Sequence, residues 1–249
     1  MVCKKTILLL CIVFIRLPAS QKEVELLRPF IRAGDLVFDI GTHEGLKTDI
    51  YLDLGAARII CVEPQPECIS YLKNKYAANK RVVIEEKGLA DKPGILELAI
   101  CVDANTISTF SQEWQDEGRF STHGYRWDKK IAIPVDTLDN LIQRYGVPHF
   151  CKIDVENFEY EVLKGLSQPI PYLSFEFAIE VLHNAERCLQ RLVELGYSSF
   201  NFTSGAHCEF MLQEWVDAED LLNEIRYAVL YRNDDSWGLL MGDIYAHYE

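Results

Sequence analysis

Carboxylates and glycines follow two apolar runs near the start of the sequence, in an arrangement typical of nucleoside binding. The stretch FDIGTHEGLKT carries Asp39, Gly41 and Gly45 between an apolar run and a helical pattern. A strand, a glycine turn and a helix in this order place backbone N–H groups and a helix N-terminus beside a ligand. Glu63 ends the next apolar run, where a carboxylate accepts hydrogen bonds from both hydroxyls of a ribose. We therefore predict that an adenosine cofactor binds at these strand ends.

The spacing of the glycines narrows the choice of cofactor. Gly41 and Gly45 form G-x-x-x-G, which lacks the middle glycine of the dinucleotide fingerprint G-x-G-x-x-G. A nicotinamide-dependent oxidoreductase is therefore the less favoured alternative, although Glu63 alone would permit it. S-adenosylmethionine fits better, because its sulfonium is cationic and an acidic pocket attracts it. A glycine turn with a purely structural purpose remains open as well.

The stretch KIDVE is a second place where ionisable groups gather. In a strand from Phe150 to Glu156, the side chains of Lys152, Asp154 and Glu156 would share one face, near the cofactor. Two carboxylates beside a methyl donor orient a hydroxyl acceptor or remove its proton, so Asp154 and Glu156 are predicted catalytic residues. The alternative is an ion pair of Lys152 with Asp154 or Glu156 that supports the sheet.

A histidine follows the next apolar run, which ends near Glu176. Imidazole has a reference pKa of about 6.5, so His183 is the predicted general base near neutral pH. The alternative is a surface or helix-start histidine. His43, on the glycine loop, is equally open.

The elements that would position these residues alternate between strand and helix patterns after residue 20. Such alternation predicts an α/β fold with a doubly wound, mainly parallel sheet and helices on both faces. Residues 103–130 break the pattern with a polar segment that contains Trp114, Phe120, Tyr125 and Trp127. Long loops in compact domains are usually functional, so we predict a loop on the substrate side, with a plain surface excursion as the alternative.

Composition and charge limit the partners. The 249 residues carry a formal charge of −13, which would repel a phosphate backbone, so we predict no nucleic-acid partner. Eight cysteines are scattered without a C-x-x-C pair, and we interpret them as reduced and structural. No metal site is predicted, and the oligomeric state is left open.

The N-terminal segment has the outline of a signal peptide. Residues 1–20 contain two lysines, an apolar run and a small-residue end, but Arg16 and Pro18 argue against cleavage and export. We divide the chain into an apolar segment, residues 1–25, and a single domain, residues 26–249. The predicted location is cytoplasmic, with export or membrane contact through residues 1–20 as the alternative.

Several ordered blocks of the sequence resemble the FkbM family of S-adenosylmethionine-dependent methyltransferases. The matching blocks are FDIGTHEGLKT, CVEPQPECISYLKNKY, GLADKPGILEL, STF, PVDTLDNLI, KIDVENFEYEVLKG and GDIYA. This sequence departs from the family pattern at Thr42 and His43, where Ala and Asn are usual, and at Asn157, where glycine is expected. Because of Asn157 and the unusual N-terminal segment, a cofactor-fold protein that has lost activity and serves as a binding module is kept as an alternative.

The resemblance implies a fold, a cofactor site and a reaction. The fold would be that of a class I methyltransferase, with seven strands and one antiparallel partner at the edge. Glu63 would hold the ribose of S-adenosylmethionine, and Asp91 would lie near the adenine, unless it merely forms the turn before Lys-Pro-Gly. The reaction would be O-methylation of a hydroxyl on a sugar, a glycan or a secondary metabolite. The residues implied on the methionine side are Asp39, Gly41, Glu44 and Gly45.

Overall fold

The computed structural model describes residues 21–205, 208–231 and 241–248. The helices in these ranges are α1 (Gln21–Leu27), α2 (Leu46–Asp53), α3 (Pro66–Lys75), α4 (Gln112–Glu117), α5 (Arg119–Thr122), α6 (Leu138–Tyr145), α7 (Glu159–Lys164), α8 (Leu182–Glu194) and α9 (Ala218–Tyr231). The strands are β1 (Leu36–Ile40), β2 (Arg58–Val62), β3 (Val82–Glu85), β4 (Gly88–Leu89), β5 (Gly94–Ile100), β6 (Lys129–Asp136), β7 (Phe150–Ile153), β8 (Tyr172–Ala178), β9 (Ser199–Phe202) and β10 (Met241–His247).

The main sheet has seven strands in the order β3-β2-β1-β7-β8-β10-β9. The pairs from β3 through to β8 are parallel, and β10 runs antiparallel to both β8 and β9. The prediction of an antiparallel strand at the edge is therefore wrong in position, because the last strand inserts between β8 and β9. This topology confirms the α/β fold of a class I methyltransferase.

Helices cover both faces of this sheet, which explains why its strands are continuous apolar runs rather than alternating ones. On one face, Val37 of β1 packs with Ile50 and Tyr51 of α2 and with residues of α1. On the other, Phe38 and Ile40 pack with residues of α6, α7, α8 and α9. Alternate residues of one strand therefore contribute to two cores.

A second, three-stranded sheet with the order β4-β6-β5 lies beside the main one. The apolar pattern of RVVIEEKGLA, Arg81 to Ala90, predicts strand character throughout, but the chain leaves the main sheet after Glu85 and continues as β4 in the small one. The small sheet also contains β6, which the sequence analysis missed. The apolar residues of β6 alternate with lysines and a proline, so its pattern resembles a polar connection more than a buried strand.

Other helix predictions hold with small changes of boundary. α6 begins as predicted at a cap, since Thr137 Oγ1 accepts the N–H of Asn140 at 3.1 Å. The apolar pattern predicts a helix through Arg187 to Leu195, and α8 spans Leu182–Glu194, so it begins more than one turn earlier. The run YLSFEFA predicts a strand, and β8 covers the same residues, Tyr172–Ala178.

The predicted N-terminal segment lies largely outside the described residues, which start at Gln21. The division at residue 25 falls within α1, whose Val24, Leu26 and Leu27 pack against the core under β1. That division therefore stays a prediction. Within the described ranges, we find no helix with the length and apolar character needed to cross a membrane. Five cysteines in those ranges are buried free thiols: Cys61, Cys68, Cys101, Cys151 and Cys188.

Candidate active site

A cleft of about 520 Å³, partly open to solvent, lies at the carboxyl ends of β1, β2 and β7. This is the edge where parallel α/β sheets bind ligands. Its walls include the glycine loop after β1, the end of β2, the start of β4, the segment Thr106–Phe110 and the turn after β7. Of the predicted site residues, Gly41, Glu63, Asp154 and Glu156 line this cleft.

The glycine loop has a backbone that side chains would disturb. Gly41 has φ +80°, and a Cβ there would lie 1.7 Å from the carbonyl oxygen of Asp154. Gly45 has φ +74°, caps α2, and would meet the Tyr76 hydroxyl at 2.5 Å. His43 between them also has a positive φ, of 50°. The loop therefore brings bare backbone up to the cleft and to the turn after β7.

Two predicted residues of this loop are engaged elsewhere. The Asp39 carboxylate is buried beneath the loop and accepts a hydrogen bond from Thr48 Oγ1 at 2.5 Å. Burial raises the pKa of Asp39, against the opposing effects of Thr48 and Lys152. Glu44 lies outside the cleft lining, and its carbonyl oxygen accepts from Lys75 Nζ at 2.9 Å. Asp39 thus stabilises the glycine loop from its buried side.

Glu63 is 2% exposed and faces the cleft from the end of β2. One carboxylate oxygen accepts the N–H of His43 at 2.8 Å, and the other accepts the N–H of Gln65 at 2.9 Å. Burial raises its pKa to about 7, although both N–H groups act in the opposite direction. Each oxygen keeps a free lone pair, so the geometry allows the predicted ribose contact.

Asp91 is exposed and lies outside the cleft lining, with its carboxylate 3.6 Å from Lys164 Nζ. This placement favours the alternative that Asp91 forms a turn, and it does not support the predicted adenine contact. Lys87, Gly88 and Leu89 line this part of the cleft instead. Gly88 is needed there because a Cβ would lie 2.7 Å from the ring of Phe110.

The turn after β7 forms the acidic side of the cleft. The predicted strand to Glu156 is too long, because β7 ends at Ile153 and the chain turns with positive φ at Glu156 (57°) and Asn157 (65°). The shared strand face was therefore the wrong reason to group these side chains. Asp154 and Glu156 nevertheless lie close to each other and to Glu176: carboxylate oxygens of these three residues lie within 4.8 Å of one another.

The three carboxyl groups of this acidic cluster differ in the direction of their pKa shifts. Burial would raise the pKa of Asp154, but the adjacent Lys152 ammonium, to which it is paired, holds it below the usual value. Burial and then the charge of Asp154 raise the pKa values of Glu156 and Glu176 well above the usual value. Asp154 therefore gives up its proton more readily than its two neighbours do.

The acidic cluster is also relevant to metals. Three oxygens at these separations are close enough to share a divalent cation, and no other such group occurs in the described ranges. The sequence analysis predicted no metal site, because it did not bring Glu176 to the other two carboxylates. The ion pair of Lys152 with Asp154, an alternative that the sequence raised, is present in addition to the cluster.

His183 does not line the cleft. It is the second residue of α8, its side chain is 52% exposed, and its Nε2 lies 2.9 Å from Glu113 Oε1. The structure therefore does not support the predicted general base and favours the surface or helix-start alternative. His43, which the sequence left open, does line the cleft.

Residues 103–130, which the sequence predicts to be a long loop or short irregular elements, contain the short helices α4 and α5, and their first part lines the cleft. Trp114 is 2% exposed, packs on Ala178 and Val181, and donates Nε1–H to Glu156 Oε2 at 3.0 Å. Thr109 Oγ1 donates to the carbonyl oxygen of Glu156 at 2.6 Å. The sequence analysis did not assign a role to Thr109 or Phe110, although the block STF was a signal for both.

The sequence of this chain also matches a known protein family. Residues 39–216 match the methyltransferase FkbM domain, which is more than half of the chain. The chain belongs to the FkbM methyltransferase family. Its cofactor is therefore S-adenosylmethionine, and the glycine loop and the carboxylate at the end of β2 fit that molecule.

Three similar proteins illustrate the range of proteins that this member of the FkbM methyltransferase family resembles. A ribosomal protein L11 methyltransferase of Thermotoga neapolitana is 23% identical over 131 residues, which span 51% of this chain and 47% of the relative. Methyltransferase FkbM from Methylobacillus flagellatus is 14% identical with a TM-score of 0.49, covering 86% of this chain and 44% of that one. An rRNA methylase from Streptococcus thermophilus is 9% identical with a TM-score of 0.46, covering 94% and 98%. This chain thus spans less than half of the first two relatives.

These names correct one prediction. We excluded nucleic acid as a partner because of the charge of −13. That exclusion is wrong, because proteins named for the methylation of rRNA and of a ribosomal protein are among those that this chain matches. Net charge alone therefore does not select the acceptor class.

Proposed function

We propose that this chain transfers the methyl group of S-adenosylmethionine to a hydroxyl oxygen, on a sugar, a glycan or a secondary metabolite. The observation that carries this proposal is the acidic cluster beside the cofactor cleft, in which carboxylate oxygens of Asp154, Glu156 and Glu176 lie within 4.8 Å of one another. A hydroxyl both donates and accepts hydrogen bonds, and carboxyl groups with a lowered pKa (Asp154) and raised pKa values (Glu156 and Glu176) suit both roles.

Each member of the acidic cluster has a task in this proposal. Asp154, whose pKa is held low by Lys152, accepts the hydrogen bond of the acceptor hydroxyl and takes its proton. Glu156 and Glu176, whose pKa values are raised, are the members suited to donate a hydrogen bond to a neighbouring oxygen and orient the acceptor. When bound, S-adenosylmethionine supplies a methyl group on a positively charged sulfur. Glu63 would bind its ribose, and Gly41 and Gly45 would line its methionine side.

A second, smaller cavity supports an acceptor position at the acidic cluster. It has a volume of about 240 Å³, including space open to solvent, and Glu176, Trp114 and Asn157 contribute to its lining. Asp154 and Glu156 line the cofactor cleft, whereas Glu176 lines this second cavity. The acidic cluster therefore contributes side chains to the lining of both cavities.

The proposal is tested by following S-adenosylhomocysteine formation with separated classes of acceptor. Oligosaccharides, small hydroxylated metabolites, ribosomal RNA and ribosomal proteins are offered individually, and the methylated product is identified by mass spectrometry. We expect transfer to a hydroxyl oxygen. Transfer confined to a nitrogen of RNA or protein would overturn the hydroxyl acceptor, and cofactor binding without transfer to any class would favour the inactive binding module.

Asp154→Asn tests the role of the member of the acidic cluster whose pKa is lowered. We expect transfer to fall by roughly 10², the usual scale for losing a positioned acid/base group. Asp243→Asn is the matched control, because Asp243 lies 4.0 Å from the same Lys152 ammonium but not in the lining of the cleft. Melting temperatures of both variants report the loss of a Lys152 partner. Full turnover in Asp154→Asn would remove Asp154 from the active site.

A further inference from the structure

Glu159 is a buried carboxylate outside the lining of the cleft. It accepts a hydrogen bond from the turn after β7, which does line the cleft. Glu159, the first residue of α7, is 1% exposed. Its Oε1 accepts the backbone N–H of Val155 at 3.0 Å, and its Oε2 accepts Nδ2–H of Asn184 in α8 at 3.0 Å. Both oxygens are therefore committed to partners inside the protein. Such a group is costly to bury, so its place needs a reason.

The turn that Glu159 holds is one that the chain would not adopt readily alone. Glu156 and Asn157 both have left-handed backbone conformations, which are unfavourable for residues other than glycine. Surrounding contacts must stabilise such a turn. On the outer side, Thr109 Oγ1 donates to the carbonyl oxygen of Glu156, and on the inner side Glu159 accepts from Val155.

The same turn is in direct contact with the glycine loop. A Cβ on Gly41 would lie 1.7 Å from the carbonyl oxygen of Asp154, so the two backbones are in contact at the cleft. The N–H of Asp154 also donates to the carbonyl oxygen of Ile40 at 2.9 Å. A turn that loses its hold on Val155 would shift Asp154 and Glu156 relative to this loop.

We propose that Glu159 is a positioning residue for the cofactor cleft: by accepting the Val155 N–H, it fixes the turn Asp154–Asn157 against the glycine loop, with Asp154 and Glu156 facing the ligand. This inference rests on the cleft being the site of S-adenosylmethionine. Its competitor is a purely structural role, in which Glu159 and Asn184 only tie α7 to α8.

Two substitutions of Glu159 separate these roles. Glu159→Gln keeps an oxygen for the Val155 N–H, and the Asn184 amide can rotate to accept from the new NH₂ group. Glu159→Met has a similar length but offers no acceptor. Leu163→Ala is the control, since Leu163 is buried in the core from the same helix and its side chain has no atom that could accept the Val155 N–H. It should lower the melting temperature while leaving the turn in place.

The readouts are S-adenosylmethionine affinity by isothermal titration calorimetry at 10 °C and the melting temperature of each free variant. We expect Glu159→Met to bind about tenfold more weakly, the scale of one lost hydrogen bond to a charged group. Glu159→Gln should bind within about threefold of the unaltered protein. Leu163→Ala should melt at a lower temperature yet bind as the unaltered protein does.

Three results would contradict the inference. One is folded Glu159→Met with unaltered affinity; another is Glu159→Gln binding as weakly as Glu159→Met, which would assign the effect to charge. A third is Leu163→Ala losing as much affinity as Glu159→Met for an equal loss of stability, which would assign the effect to helix packing. Absence of binding by the unaltered protein would instead overturn the cofactor site itself. The two failures are therefore distinguishable.

Discussion

At the residue scale, burial and partners decide what each carboxyl group does. The pKa of Asp154 is lowered because Lys152 compensates its charge, while burial and the charge of Asp154 raise the pKa values of Glu156 and Glu176. Glu63 has neither a cation nor open solvent, and two backbone N–H groups stabilise its charge instead. Carboxyl groups therefore have different roles in this site because their immediate surroundings differ.

Glu63→Gln is expected to weaken S-adenosylmethionine binding at least tenfold. The amide cannot accept from both N–H groups and also from ribose hydroxyls, since one of its two heads is a donor. Calorimetric titration measures the change, and circular dichroism confirms that the variant is folded. A folded variant with unchanged affinity would refute the ribose contact.

The affinity for S-adenosylmethionine should also depend on pH through Glu63. The pKa of Glu63 is about 7, and its ionised form is the better acceptor for hydroxyl groups. Affinity should therefore be constant above about pH 8 and fall by up to about tenfold per pH unit below 7. Titrations between pH 5.5 and 8.5 measure this slope, and Glu63→Gln should flatten it. An equal slope in both proteins would assign the effect to another group.

The stability of the free protein should respond to Glu63 in the opposite direction. Its folded-state pKa of about 7 lies above the ordinary value of 4.5, so the folded chain holds the proton more tightly than the unfolded chain. The stabilisation from this proton is complete below about pH 4.5 and is lost as the pH rises through 7. Melting temperatures of the free protein and of Glu63→Gln, compared across this range, measure the contribution. A difference between them that does not vary with pH would contradict it.

At the scale of elements, two turns with unusual backbones meet at the cleft. The glycine loop has positive φ at Gly41, His43 and Gly45, and the turn after β7 has it at Glu156 and Asn157. Asparagine tolerates this conformation better than most residues, which explains how Asn157 replaces the expected glycine without a change of turn. This departure from the family pattern therefore gives no support to the inactive alternative.

Gly41→Ala should disrupt this meeting of turns. Its Cβ would lie 1.7 Å from a backbone atom, so the loop or the turn must move, at a cost of about 3 kcal/mol or more. Gly34→Ala is the matched control, because Gly34 has φ +99° but open space around it, and should cost only about 1 kcal/mol. Urea denaturation compares the two free energies of unfolding, and titration compares cofactor affinity. Equal effects in both variants would show that backbone strain, rather than the close approach, governs Gly41.

At the scale of the whole molecule, the sheet extends beyond the part of the chain that matches the family domain. That match ends at residue 216, yet β10, Met241–His247, lies between β8 and β9 and pairs with both. Residues such as Ile244 and Ala246 are buried in the larger core. The last strand is therefore part of the domain, consistent with the block GDIYA in the family resemblance.

A chain that ends at residue 240 should fail to fold cooperatively. Without β10, the facing edges of β8 and β9 lose their backbone partners and the core loses a buried strand. Thermal melting followed by circular dichroism should show no sharp transition, whereas the full chain should melt in one. A cooperative transition in the shortened chain would mean that β8 and β9 can pair directly.

The sequence alone determined the strand and helix alternation, the glycine loop, the carboxylate at the end of β2 and the family, because each depends on residues close together in the chain. Only the tertiary structure brought Glu176 to Asp154 and Glu156, placed Trp114 and Thr109 on the turn, and moved Asp91 and His183 away from the cleft. Those outcomes depend on how β7 pairs with β8 and on how the segment between β5 and β6 folds back. Contacts between distant segments have no periodic signature, since they arise from packing in three dimensions and not from local backbone preference.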